Sequence, residues 1–367
     1  MLRLSERRNM LKHLMALVLV LMIPCIPAMA AEDDDWSMDE LPEYRQTAEP
    51  AETPMPESDD KADTGSDSDS QMSEITAVDG AFPVLNERGF LPEGEFVYEN
   101  PEEGVWRYAS PELKIEIYRR TQDSPKQVWY EAEVWCGGNE FPHMIPNDPE
   151  KRFSSTEFPY KIARKNGTVL AISSDYAHLR KQQKSKMGII LRDGEILSDK
   201  TWGKNSSHFP NLDCLAISPD GDMQVYWSNE KTAEEYAEAG MRDVLSFGPW
   251  LIRDGELNET ALKKYGKSRA QRTAVGMVEK GHYFLMMLEG RIDRSKGDGI
   301  SFLAERMLDR GCRIAFNLDG GQTSSIVFMG HQLCKMVNRN ANVASRRTAE
   351  ILGVGTSDAL PDIDASW

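Results

Sequence analysis

The chain has 367 residues, a formal net charge of −16, 28% charged and 40% hydrophobic side chains, a composition that allows one large domain or two modest ones. The acidity is concentrated: residues 32–74 hold about sixteen carboxylates against Arg45 and Lys61, which leaves the remainder close to neutral. No basic stripe offers a footprint for a phosphate backbone, which argues against nucleic acid as a partner.

At the N-terminus, Arg3, Arg7, Arg8 and Lys12 precede an apolar run from Leu14 to Ile23 and the small-residue pattern Ala28-Met29-Ala30. Residues 1–30 are therefore expected to act as a signal peptide, with an uncleaved anchor as the alternative. Either way the body of the chain is expected outside the cytoplasm, secreted or held in the cell envelope by peripheral membrane or cell-wall association. Residues 31–80, rich in Asp, Glu, Ser, Pro and Thr, cannot bury enough apolar surface to offset their ordering entropy and read as a disordered linker. The folded domain is expected over 81–367, with its core at about 95–355. Beyond Cys25, the cysteines Cys136, Cys214, Cys312 and Cys334 match no zinc-site spacing. They leave two options open, a Cys312–Cys334 disulfide or four buried thiols. No cofactor and no metal is expected.

From about Phe90 the pattern becomes short and β-rich. Leu113, Ile115 and Ile117 alternate onto one face of a strand, and Val128 to Trp135 forms a second. Hairpins follow, 188–191 with 195–197 around Asp193-Gly194 and 215–217 with 223–227 around Pro219-Asp220-Gly221. Thr232 and Glu235 make a capping box for a helix ending near Gly240. Trp250 to Ile252 precedes Asp254-Gly255, and 275–278 pairs with 283–288 around Lys280-Gly281. A second helix places Ile300, Leu303, Ala304, Met307 and Leu308 on one face and stops at Gly311, before a strand from Arg313 to Leu318. Hairpins with separate helices and no repeat indicate an α+β fold, with mixed or antiparallel sheets and a few flanking helices in a single domain.

The segment from Asn317 to Ser325 reads Asn-Leu-Asp-Gly-Gly-Gln-Thr-Ser-Ser. An apolar strand ends in the carboxylate of Asp319, and Gly320-Gly321 lets backbone turn and approach a ligand closely. The hydroxyls and N–H groups after such a turn suit a phosphate or a sugar. A strand-to-loop turn in which Asp319 bonds nearby amides would account for the same residues. The histidines are scattered, with no His-Glu-x-x-His helix, and Gly-x-Ser-x-Gly is absent.

The C-terminal stretch resembles the phosphodiester glycosidase domain family. The matching pieces are Asn317 to Thr323, Arg272-Thr273-Ala274-Val275-Gly276, Glu289-Gly290-Arg291, Phe247-Gly248-Pro249 and Ala171-Ile172-Ser173-Ser174-Asp175-Tyr176. They occur in the family's order. Ser173-Ser174 stands where the family has Asn-Gly, Gln322 replaces a third glycine, and Thr323 replaces serine. The resemblance implies a hydrolase that splits a sugar from a phosphate diester through an oxocarbenium-like state. It implies Asp319, Asp175, Arg272 and Glu289 as catalytic candidates. In this reading Arg272 neutralises the leaving phosphate, the carboxylates stabilise the cation and activate water, and Glu289 either joins them or holds Arg291 or Arg272. Asn317, Gly320, Gly321, Thr323, Ser324 and Arg291 are the substrate-binding candidates, and the expected partner is a glycan or sugar-phosphodiester in envelope or host material. The departures at Ser173-Ser174 and Gln322 favour one alternative, a catalytically weakened glycan-binding or structural envelope protein on the same scaffold.

Overall fold

A computed structural model describes residues 80–176, 187–201, 211–335 and 346–364. The expected signal peptide, most of the expected linker and Cys25 lie outside the described residues. In chain order the strands are β1 (Phe96–Asn100), β2 (Val105–Ala109), β3 (Leu113–Asp123), β4 (Lys126–Cys136), β5 (His143–Pro146) and β6 (Thr168–Ile172). There follow β7 (Ile189–Arg192), β8 (Glu195–Asp199), β9 (Asp213–Ile217), β10 (Met223–Tyr226), β11 (Asp243–Phe247), β12 (Trp250–Arg253) and β13 (Glu256–Leu257). The last are β14 (Arg272–Glu279), β15 (His282–Leu288), β16 (Ile314–Leu318), β17 (Ile326–Phe328), β18 (His331–Gln332) and β19 (Glu350–Thr356). Among the described residues four α-helices accompany them, α1 (Pro159–Lys165), α2 (Ala233–Glu238), α3 (Glu259–Tyr265) and α4 (Ile300–Asp309).

The strands form three sheets, in the orders β1-β2-β3-β4-β15-β14-β16-β12-β13, β10-β9-β11-β7-β8 and β18-β17-β6-β19-β5. The ladders within them are antiparallel, in accord with the α+β expectation. Alternation decides which face each residue serves. On β15, Tyr283, Leu285 and Met287 enter the main core with Ile115, Ile117, Phe316 and Phe328. The intervening Phe284, Met286 and Leu288 point to the opposite face, where α4 buries Ile300, Leu303, Ala304 and Met307. Each large aliphatic side chain taken out of water there contributes about 1.5–3 kcal/mol. Leu308, expected on that buried face, is instead 37% exposed, because the contact stripe of this ten-residue helix already closes at Met307. Helix α2 caps the second sheet through Ala233 and Tyr236, and α1 covers the third through Ile162 and Ala163.

Local signals act where they were read. Thr232 Oγ1 accepts from the Glu235 amide at 3.2 Å, and Glu235 Oε2 accepts from the Thr232 amide at 2.7 Å, so two otherwise orphaned donors of α2 are satisfied. Asp193 and Asp254 take φ of 50° and 55° ahead of their glycines, as tight hairpin turns require. Cys136, Cys214, Cys312 and Cys334 are free thiols, the last three buried and Cys136 half-buried; Cys312 packs in the α4 cluster and Cys334 in the main core, apart from each other.

Candidate active site

Strand register gathers the motif residues at one end of the large sheet. β14 and β16 are antiparallel with Thr273 opposite Leu318, so the residue that opens β14, Arg272, lies beside the residue that follows β16, Asp319. β14 and β15 pair Arg272 with Leu288, so Glu289 and Arg291 emerge at the same end. The third sheet joins there: β6 and β17 pair Ile172 with Ile326, and the Asp319 amide donates to the Ser174 carbonyl at 3.2 Å. Four distant stretches of chain thus meet.

The Asp319 turn rests directly on β14. Gly321 takes φ +58° and its amide donates to the Gln271 carbonyl at 3.0 Å. A Cβ on Gly320 would sit 2.8 Å from that carbonyl oxygen, so both glycines are required, one by space and one by conformation. The Gly320 amide donates to Asp319 Oδ1 at 2.9 Å and fixes the carboxylate, which is 7% exposed in its residue as a whole.

Two arginines border this turn, Arg272 with its aliphatic chain and Arg291 with its guanidinium. A Cβ on Gly320 would lie 3.9 Å from Arg272 Cδ, and one on Gly321 would lie 3.7 Å from Arg291 Nη1. Arg272 is buried and donates from Nη2 to the Ser268 carbonyl at 2.7 Å and from Nε to the Asp298 carbonyl at 3.4 Å. Burial and the neighbouring positive charge of Arg291, partly offset by Asp298, push the Arg272 guanidinium down to about 10. Arg291 holds φ +61°, a left-handed backbone that costs a bulky residue on the order of 1–2 kcal/mol.

The other candidates have more committed surroundings. Asp175 is fully buried, and its Oδ2 accepts from Arg192 Nη2 at 3.3 Å and from the Ser246 amide at 3.4 Å. Arg192 in turn binds Glu350 through Nε at 2.9 Å and Nη2 at 2.5 Å, and the opposed carboxylates raise its affinity for the proton. Glu289 is fully buried and pairs with Arg294 at 2.7 and 2.5 Å, and its Oε1 also accepts from the Lys335 amide at 2.7 Å. Arg294, rather than Arg291 or Arg272, is therefore the cation that Glu289 holds. Its planar fork can meet both oxygens from five residues along the chain.

Asn317 donates from Nδ2 to the Gly248 carbonyl at 2.9 Å, at the cis Gly248–Pro249 bond, and its buried Oδ1 meets no hydrogen-bond partner among the described residues. The same holds for the buried hydroxyls of Ser324 and Ser325. Thr323 Oγ1 accepts from Arg346 Nη1 at 3.2 Å. Ser173, where the family has asparagine, donates to Thr273 Oγ1 at 2.9 Å and accepts from the Ser325 amide at 3.1 Å. Its hydroxyl ties β6, β14 and the turn together. Thus Asp319, Gly320, Gly321, Arg272, Arg291 and Thr323 form one cluster, with Asn317 and Ser324 beneath it and Asp175 and Glu289 each in an ion pair of its own. Arg192, Glu350, Arg294 and Arg346 were not singled out from sequence. They are single charged residues in strands or loops with no motif around them, and only the pairing of remote segments shows what they do.

Among the described residues no group of three or more His, Cys, Asp or Glu side chains is placed to hold a metal ion. The cluster offers planar cations for an anion and a fixed carboxylate beside them, the elements of a site for a phosphate ester.

The family model described as phosphodiester glycosidase matches residues 166–355. The chain is 24% identical over 216 residues to the SPbeta prophage-derived uncharacterized protein YomE of Bacillus subtilis, a match covering 58% of this chain and 32% of that protein. The chain therefore spans about a third of that curated relative's length. Its fold is similar to the catalytic domain of zebrafish N-acetylglucosamine-1-phosphodiester alpha-N-acetylglucosaminidase, auto-inhibited by its pro-peptide, with a TM-score of 0.53, 19% identity and coverage of 68% of this chain and 85% of that one.

Proposed function

The chain belongs to the phosphodiester glycosidase family, and from that premise we propose that it hydrolyses the bond between the anomeric carbon of a sugar and a phosphate diester, outside the cytoplasm. The observation that carries the reading is the approach of Arg272 and Arg291 to the glycine turn that bears Asp319. A phosphodiester leaving group is a weak base. Its departure needs charge neutralisation more than a strong general acid, and two guanidiniums supply that with permanent charge and planar donors. Asp319, fixed by the Gly320 amide, serves the sugar side, where it stabilises the oxocarbenium-like cation or activates water. Asp175 and Glu289 stand behind this pair, each anchored by its arginine, and hold the walls of the site.

The test uses the full chain with aryl phosphodiesters of sugars and with sugar-1-phosphodiesters, monitored for free reducing sugar and phosphomonoester. Turnover is expected, and Asp319→Asn should lower it by about 10²–10⁴ while Lys231→Ala, on the α2 side of the second sheet, leaves it intact. Glycan binding without any turnover would instead identify a binding module on this scaffold.

A further inference from the structure

The loop that leaves β15 is braced against its neighbours. Both carboxylate oxygens of the buried Glu289 meet the fork of Arg294, from Nε at 2.7 Å and from Nη2 at 2.5 Å. Ser295 Oγ donates to the Glu289 carbonyl at 2.7 Å and accepts from the Val128 amide at 3.1 Å. Ile292 and Ser295 exchange amide–carbonyl bonds of 3.1 Å. The loop also rests on the entry to β14 that supports the Asp319 turn. A Cβ on Gly290 would sit 3.0 Å from the Gln271 amide nitrogen, and one on Gly297 would sit 2.4 Å from the Ala270 carbonyl oxygen. Gln271 is the residue whose carbonyl receives the Gly321 amide. Arg291 lies inside this frame, at φ +61°, a backbone that persists only where its surroundings over-determine it. Glu289 precedes it and Arg294 follows it, so their ion pair closes the loop around the strained position.

We propose that Arg294 is a positioning residue for the hydrolysis, holding Arg291 against the Asp319 turn through its fork to Glu289. This deepens the phosphodiester glycosidase reading and rests on it, and it gives Glu289 a part that needs no contact with the sugar. As the bond from the anomeric carbon to oxygen breaks, the singly charged diester departs as a phosphomonoester with a second negative charge. The Arg291 guanidinium therefore interacts more strongly with the transition state than with bound substrate. Without the fork, the backbone at Arg291 relaxes to negative φ and the guanidinium leaves the turn. The loss then falls on kcat more than on KM.

The experiment measures kcat and KM of the full chain on one sugar-1-phosphodiester for wild type, Arg294→Lys, Arg291→Gln and the double variant. Lysine keeps a charge beside the buried Glu289 and removes the planar fork. Arg294→Lys should lower kcat by about 10–100-fold with KM held within about twofold. In the Arg291→Gln background the same substitution should cost less than about threefold. An equal loss in both backgrounds is damage to the fold alone and overturns the proposal, as does a loss confined to KM or a wild-type kcat in Arg294→Lys. Should Arg294→Lys not fold, Glu289→Gln/Arg294→Gln, which removes both charges together, takes its place in the same cycle and is read in the same way. If wild type shows no turnover, the hydrolase reading falls and calorimetry with inorganic phosphate on the same proteins decides separately. A weakening in Arg294→Lys that is absent from the Arg291→Gln background upholds the positioning of Arg291. Equal weakening in both, or no phosphate binding by wild type, overturns it.

Discussion

Asp213 opens β9 and is 2% exposed. Its carboxylate accepts from the Trp250 amide at 3.3 Å, and from the Ser228 amide and the Asn211 side chain. Burial outweighs these donors and pushes the group from the ordinary 3.8 up to about 7. In that interval the folded chain keeps a proton that the unfolded chain has released. The contribution of this group to stability is therefore greatest below 3.8, falls as pH rises, and levels off above about 7. At about 1.4 kcal/mol per pH unit the interval amounts to about 4 kcal/mol. Asp213→Asn cannot ionise. It turns one acceptor into a donor facing donors, at a cost of about 1 kcal/mol that does not vary with pH. Urea denaturation followed by tryptophan fluorescence, on both proteins between pH 4 and pH 8.5, isolates the effect. The stability of Asp213→Asn minus that of wild type should climb by about 4 kcal/mol across the interval and then stay flat. A difference constant to within about 1 kcal/mol would show that the carboxylate is charged throughout, and that its three donors win over its burial. The consequence reaches the site, because Asp213 packs against Gly248, whose carbonyl receives the Asn317 amide.

Arg192→Met should cost about 3–5 kcal/mol in chemical denaturation, since it strands the buried carboxylates of Glu350 and Asp175; Arg192→Met/Glu350→Met should recover part of that loss. Gly299→Ala places a Cβ 1.6 Å from the Gly266 carbonyl oxygen, where α3 meets the start of α4, and should destabilise by roughly 1–3 kcal/mol or more, read as a lowered thermal midpoint. Cys214, Cys312 and Cys334 are buried thiols pushed up to about 12, so a thiol reagent should leave them unlabelled in the native chain and label all three in denaturant. A Cys312–Cys334 disulfide found by mass spectrometry would contradict this.

Much of the fold was legible because its strands carry their own turn chemistry. The hairpins at Asp193-Gly194 and Lys280-Gly281, the capping box at Thr232 and the alternation of Leu113, Ile115 and Ile117 all act as local physics requires. Most elements that escaped notice lack such signals, and the exception is α3, whose Asn258 side chain caps it by accepting from the Ala261 amide. β5, β17 and β19 belong to a sheet buried under α1, and short runs such as Ile326–Phe328 have no alternation to read because both faces are covered. Helix α1, Pro159–Lys165, is short and has no side-chain cap, so neither periodicity nor a capping residue announced it.

The site divides along the same line. What sequence could supply was the turn, since Gly320 and Gly321 are demanded by a contact and a backbone angle close to Asp319 itself. What it could not supply was the charge pairing, because each pair joins residues far apart along the chain or depends on a loop path: Arg192 with Asp175 and Glu350, Glu289 with Arg294, Arg346 with Thr323. The pairing redistributes roles among groups that look alike on paper. Asp319, Asp175 and Glu289 are three carboxylates at one end of the sheets, but two of them already have a buried guanidinium or a bidentate fork to neutralise them. Asp319 stands on the glycine turn that Arg272 and Arg291 border, and its Oδ1 accepts from the Gly320 amide. In the proposed reaction it is therefore position that singles out Asp319, on the turn between two arginine-bearing segments, where residue type alone could not.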